Sequence, residues 1–145
     1  MTREAFIERL CLAFSEDTVN VFIRGQKHGW IEYEDELFKD EPISRKNMAR
    51  IFHMYLLKEK GISDLHDIQK AGELRDLYDC RVCTNHVAQV YLRGIMDAKD
   101  LSARGGFLWF DLDGENDQAE IENYIRRSVE VVNNISVGAG EKQYG

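Results

Sequence analysis

The sequence predicts an all-α bundle of helical repeats with short extended loop segments, folded as one domain over residues 1–135 and followed by a flexible tail over 136–145. Three observations predict it. Apolar residues recur at i, i+3, i+4 and i+7 in several stretches, the spacing that lines one face of an α-helix. Pro42 is the only proline in 145 residues, so little in the chain interrupts helix formation. Three helix openings share one pattern, a residue suited to capping followed four positions later by a large apolar residue.

The first helix is expected over residues 2–14, where Ile7, Leu10, Cys11 and Phe14 share a face beside Phe6. A second is expected to start near Ser15 or Asp17, either of which can accept a hydrogen bond from the first-turn N–H groups. It would carry Val19, Phe22 and Ile23 on one face and stop between Gly25 and Gly29. After an acidic loop from Glu32 to Glu41, Pro42 and Ser44 announce the best-patterned helix, with Met48, Ile51, Phe52, Tyr55 and Leu56 on its apolar face. Residues 58–75 are polar and carry Gly61 and Gly72, which predicts a surface excursion with one short helix around Asp64 to Lys70. Val87, Val90, Tyr91 and Ile95 mark a further helix running into Gly94, where the missing side chain permits a left-handed end. Gly105 to Phe110 is too short for a helix and predicts an extended piece or small hairpin. Ile121, Tyr124, Ile125, Val129 and Val132 make the last helix, and the segment from Ser136 to Gly145 is expected to fray.

Composition bounds the function. Apolar residues make up 43% and charged residues 31%, a folding rather than a disordered balance. The net charge of −7 argues against direct nucleic-acid binding, which needs clustered Lys and Arg to displace counterions from phosphates. An acidic surface suits a protein partner with a basic surface. No run approaches the roughly 20 apolar residues that span a bilayer. The charged stretch Met1 to Phe6 contains no apolar segment of secretory length, so the expectation is a cytoplasmic protein, or a cell-surface one if the chain is an excised fragment.

The three openings are Thr2-Arg3-Glu4-Ala5-Phe6, Ser44-Arg45-Lys46-Asn47-Met48 and Asp117-Gln118-Ala119-Glu120-Ile121. What precedes the second and third also corresponds: Gly29-Trp30-Ile31, Phe38 and Asp40 to Ile43 match Gly94-Ile95-Met96, Phe110 and Asp111 to Gly114. The unit is helix, Gly-apolar turn, aromatic-acidic loop, capped helix.

In these features the chain resembles the S-layer homology family. Asp79 with His86-Val87-Ala88, Gly94-Ile95, Phe38 with Pro42, Ile43-Ser44-Arg45 and Thr2 to Phe6 stand where that family has its motifs. The likeness spans most of residues 2–130, with Val87 in place of a Trp and Asp117-Gln118 in place of a third Thr-Arg. It implies a three-repeat helical bundle with pockets for a cell-wall polysaccharide, and it implies Arg3 and Arg45 as anion contacts. A guanidinium suits a carboxylate or ketal-linked acid. An Arg in the first turn of a helix equally suits a structural ion pair.

Three cysteines with no secreted framework around them predict reduced thiols. Cys80, Cys83 and His86 have the spacing of zinc ligands, although a structural site needs a fourth, which Cys11 or His53 would have to supply. The alternative is that the two cysteines are small buried residues before a helix. No other cofactor is indicated. Asp111-x-Asp113-Gly114 is too close to Glu120 for a twelve-residue calcium loop. No Gly-rich phosphate cradle or Ser/His/Asp set is present, so no enzyme is expected. Trp30 and Trp109, in equivalent loops, are the aromatic partner-contact candidates.

The expected function is therefore a non-catalytic binding module, an interaction, regulatory or inhibitor protein of bacterial or phage type on the repeat scaffold. The alternative is a surface-anchoring module for cell-wall glycan. The sequence does not indicate an oligomeric state.

Overall fold

A computed structural model describes residues 1–101 and 105–144, with side-chain surroundings for 1–100 and 105–135. The chain is mostly helical. In order come α1 (Arg3–Ala13), α2 (Val21–His28), α3 (Tyr33–Leu37), α4 (Arg45–Met54), α5 (Thr84–Leu92) and α6 (Gln118–Tyr144). A π turn, Tyr55–Glu59, prolongs α4, and 3-10 turns lie at Gln69–Glu73 and Arg81–Cys83. Between α5 and α6, β1 (Lys99–Leu101) pairs antiparallel with β2 (Phe107–Trp109), Asp100 opposite Leu108, which is the small hairpin expected near Gly105 to Phe110.

Local chemistry starts the helices where the sequence places the openings. Thr2 Oγ1 accepts from the Ala5 amide at 3.1 Å and Ser44 Oγ from the Asn47 amide at 3.3 Å. Asp117 Oδ1 accepts from the Glu120 amide at 2.8 Å, and the Glu120 carboxylate accepts in return from the Asp117 amide. One turn in, Phe6, Met48 and Ile121 are buried.

The first two openings are also closed from outside in the same way. The Arg3 and Glu4 amides donate to the Glu41 and Lys39 carbonyls, and the Arg45 and Lys46 amides donate to the Gly114 and Leu112 carbonyls. The loop before α4 thus satisfies the start of α1, and the loop before α6 satisfies the start of α4. Each Arg lies over the aromatic residue of that loop, Arg3 over Phe38 at 5.9 Å and Arg45 over Phe110 at 4.6 Å. The two Gly-apolar turns correspond too. Gly29 and Gly94 have φ of 91° and 73°. Behind them the Trp30 and Ile31 amides donate to Gly25 O, and the Ile95 and Met96 amides to Val90 O.

One core holds the molecule together. Phe6 meets Phe52 edge to face at 5.1 Å, Tyr55 meets both Trp30 and Phe14, and Val87, Ile95, Phe110 and Ile121 extend the cluster toward α5 and α6. Apolar α4 residues Met48, Ile51, Phe52, Tyr55 and Leu56 are all buried, as their spacing predicts.

Four expectations differ from the structure. Helix α2 starts at Val21, because Ser15 and Asn20 take positive φ and Asp17 instead accepts from the Val19 amide in a local turn. This rotates the helix so that Val21, Phe22 and Gly25 face inward while Val19 and Ile23 are exposed. The acidic loop contains the short helix α3, opened by a capping box between Glu32 and Asp35. Between residues 58 and 75 there is a 3-10 turn from Gln69 rather than a helix at Asp64 to Lys70, and Ala71 and Leu74 reach the core. Finally, α6 stays helical through Tyr144, across most of the expected tail; Gly145 lies outside the described residues.

Candidate ligand groove

Helix α4 carries the centre of the site on the half-buried outer face of its first turns. Lys46 and Arg50, four residues apart, project from one face of it. The start of α3 stands on one side of this face, and the 3-10 turn leading into α5, with the loop after β2, stands on the other. Two adjoining depressions result, of about 350 and 270 Å³, and both are lined by Lys46 and Cys80. Trp109 and Asp79 line the larger, and Glu32, Glu34, Arg50 and His86 line the smaller.

The groove is net acidic. Six carboxylates line it (Glu32, Glu34, Asp76, Asp79, Asp111 and Asp113) against the two permanent cations Lys46 and Arg50. Those cations are already engaged. Lys46 pairs with Asp113 at 2.7 Å, and Arg50 pairs with the fully buried Asp35 at 2.5 Å. Asp111 pairs with Lys99 at 2.9 Å. Asp79 and Glu34 are exposed and form no ion pair among the described residues, so their charges face solvent.

Asp76 builds the groove wall and was not singled out from the sequence. It is buried, and its carboxylate accepts from the Phe110, Asp111 and Leu112 amides at 2.8, 2.8 and 3.4 Å. Three backbone donors replace its lost water and fix the loop that follows Trp109. The signal lies in Leu74-Arg75-Asp76-Leu77, an Asp flanked at short range by two residues that prove to be buried. The family likeness assigns its Asp to Asp79, three positions later, which is exposed.

A histidine pair underlies the smaller depression. His53 Nδ1 and His86 Nδ1 face each other at 2.7 Å, so one donates and the other accepts. His53 Nε2 reaches Asp64 at 2.6 Å, and Asn85 donates to the same carboxylate at 3.0 Å. Burial, then the neighbouring His53 and Arg50, pushes His86 down to about 4. Burial works against the charge of Asp64, but hydrogen bonds from His53 and Asn85 outweigh it and hold the carboxyl below its ordinary range.

The expected site residues fall on both sides of the surface. Arg45 is fully buried, donating to Phe110 O at 2.7 Å, to Asn116 Oδ1 at 2.6 Å and to Asp97 O. Arg3 is 7% exposed and donates to Asp35 at 3.1 Å. Both guanidiniums turn inward: Arg3 makes the structural ion pair that the sequence left as the alternative, whereas Arg45 is held by neutral oxygens and forms no ion pair among the described residues. Trp30 is a core residue, 2% exposed and packed edge to face on Tyr55 at 4.8 Å, so it is no surface anchor. Trp109 is half-buried and lines the groove.

The zinc expectation is corrected. Cys80 and Cys83 form a disulfide with each other, with Cα atoms 5.2 Å apart, so neither offers a thiolate to a metal and neither is the reduced thiol expected. His86 turns to His53 instead. Cys11 sits in the core, where burial and then Glu16 push its thiol up to about 11. Among the described residues no group of three or more His, Cys, Asp or Glu side chains is arranged to hold a metal ion. No described helix is long and apolar enough to cross a membrane.

No family model matches the chain, and no curated protein or solved structure is significantly similar to it. The groove must be read from its own chemistry.

Proposed function

We propose that the chain is a non-catalytic protein-binding module whose acidic groove takes a basic segment of its partner. The carrying observation is the charge of the groove after its internal pairs are counted: Lys46 is paired with Asp113 and Arg50 with Glu32 and the Asp35 it shares with Arg3, while Asp79 and Glu34 remain unpaired among the described residues. A Lys or Arg side chain gains from such carboxylates.

The scaffold on this reading is a degenerate S-layer homology-like repeat bundle. Its support is the matched closure of two helix openings, with Arg3 over Phe38 and Arg45 over Phe110, and the matched turns at Gly29 and Gly94. The same geometry weakens the cell-wall glycan alternative. The two arginines that would recognise an acidic saccharide are inside, and the groove that is outside is net acidic.

The test is calorimetric titration with Lys- and Arg-rich peptides, set beside retention on purified cell-wall sacculi. Binding of cationic peptides that weakens about tenfold in the Asp79→Asn/Glu34→Gln double variant supports the proposal. Retention on sacculi with no peptide binding overturns it in favour of the glycan.

A further inference from the structure

Cys80 and Cys83 bracket the exposed pair Arg81-Val82 immediately before α5, with Val82 84% exposed. Cys80 lies where the two depressions of the groove meet, and Cys83 lines the smaller one. We propose that this disulfide is a thiol–disulfide exchange site, reacting with thiolates presented in the groove. The inference goes beyond partner binding and does not depend on it, because a small thiol can enter the same depression.

Three features point this way. The bond spans one turn and ties no two elements together, so it adds little as a staple; closing so short a loop removes little chain entropy. Both sulfur-bearing residues are half-buried at the groove rather than sealed in the core, where Cys11 lies. Cys83 immediately precedes the nine-residue helix α5, whose positive dipole end favours a thiolate.

The chemistry balances with two external thiols as reductant. The first, as thiolate, bonds to Cys80 Sγ; the Cys80–Cys83 bond breaks and its electron pair leaves on Cys83 Sγ. The second thiolate attacks the external sulfur of this mixed disulfide and releases Cys80. The external thiols end as a disulfide, the protein pair ends as two thiols, and the two protons pass from the former to the latter.

The experiment equilibrates the folded, oxidised full chain with graded ratios of reduced to oxidised glutathione and counts protein thiols by alkylation and mass. Cys80 and Cys83 are expected to convert together and reversibly while Cys11 stays unlabelled. Quenching the reduction by alkylation and mapping the mixed disulfide by mass is expected to place glutathione on Cys80 and the alkyl label on Cys83. A pair that stays closed in excess reduced glutathione until denaturant is added, or stays as two thiols at every ratio, overturns the proposal. Glutathione found on Cys83 instead overturns Cys80 as the attacked sulfur.

Discussion

Arg45 concentrates more of the fold in one side chain than any apolar residue around it. Its guanidinium reaches the loop before α6, the turn after α5 and the Asn116 amide while lying over the Phe110 ring. Arg45→Met removes these bonds and strands buried acceptors, so a loss of about 3 kcal/mol or more in urea unfolding is expected. Arg3 joins Asp35, which Arg50 also holds, so Arg3→Met should cost visibly less. His86 gives the pH dependence. Its folded value, about 4, lies below the ordinary 6.5, so as pH falls the unfolded chain takes up the proton first. The contribution is complete above about pH 6.5 and is lost as pH falls toward 4. Allowing for solvent screening, the loss should be on the order of 1–2 kcal/mol, read as the difference in pH slope between wild type and His86→Gln. A slope that survives in the variant would assign the effect elsewhere.

At the scale of elements, the openings of α1, α4 and α6 were legible because capping is local: Thr2, Ser44 and Asp117 bond to amides three residues away. The apolar face of α4 was legible for the same reason, as periodicity needs no distant partner. The phase of α2 was not, because two left-handed residues before it reset the helix, and Ser15 and Asn20 are not of the residue type that announces such a turn most strongly. Gly25 shows what replaces that signal. A Cβ there would sit 2.2 Å from Ile31 Cδ1, so the turn after α2 packs directly on bare helix backbone. Gly25→Ala is expected to lower stability by about 1–3 kcal/mol, seen as a fall in melting temperature, despite the better helix propensity of Ala. An unchanged melting temperature would mean that Ile31 moves aside freely.

Across the whole molecule the groove was the least legible feature, since it brings α3, α4, the turn before α5 and the β2 loop together from positions about 80 residues apart in the sequence. Only Trp109 of the expected contact residues reaches it, and Arg45, singled out by motif, is one position away from a residue that does, Lys46. Capping geometry explains this: the residue at the first helical position turns in under the incoming loop, while the next one turns out. If the groove binds by charge, affinity for a cationic peptide should fall steeply between low and physiological salt, whereas an apolar contact would hold. Isothermal titration at two ionic strengths separates the two.

The closure of each helix opening by a later loop sets an order in time. The α1 start is finished by residues 39–41 and the α4 start by residues 112–114. A ribosome making about 5–20 residues per second releases Asn116 roughly 4–14 s after Arg45, from which it is 71 residues distant. Through most of that interval the nascent chain holds a finished first opening and an Arg45 guanidinium whose partners Asp97, Phe110 and Asn116 are still to come. The N-terminal half cannot complete its own core alone, and the molecule locks only when its last loop has emerged.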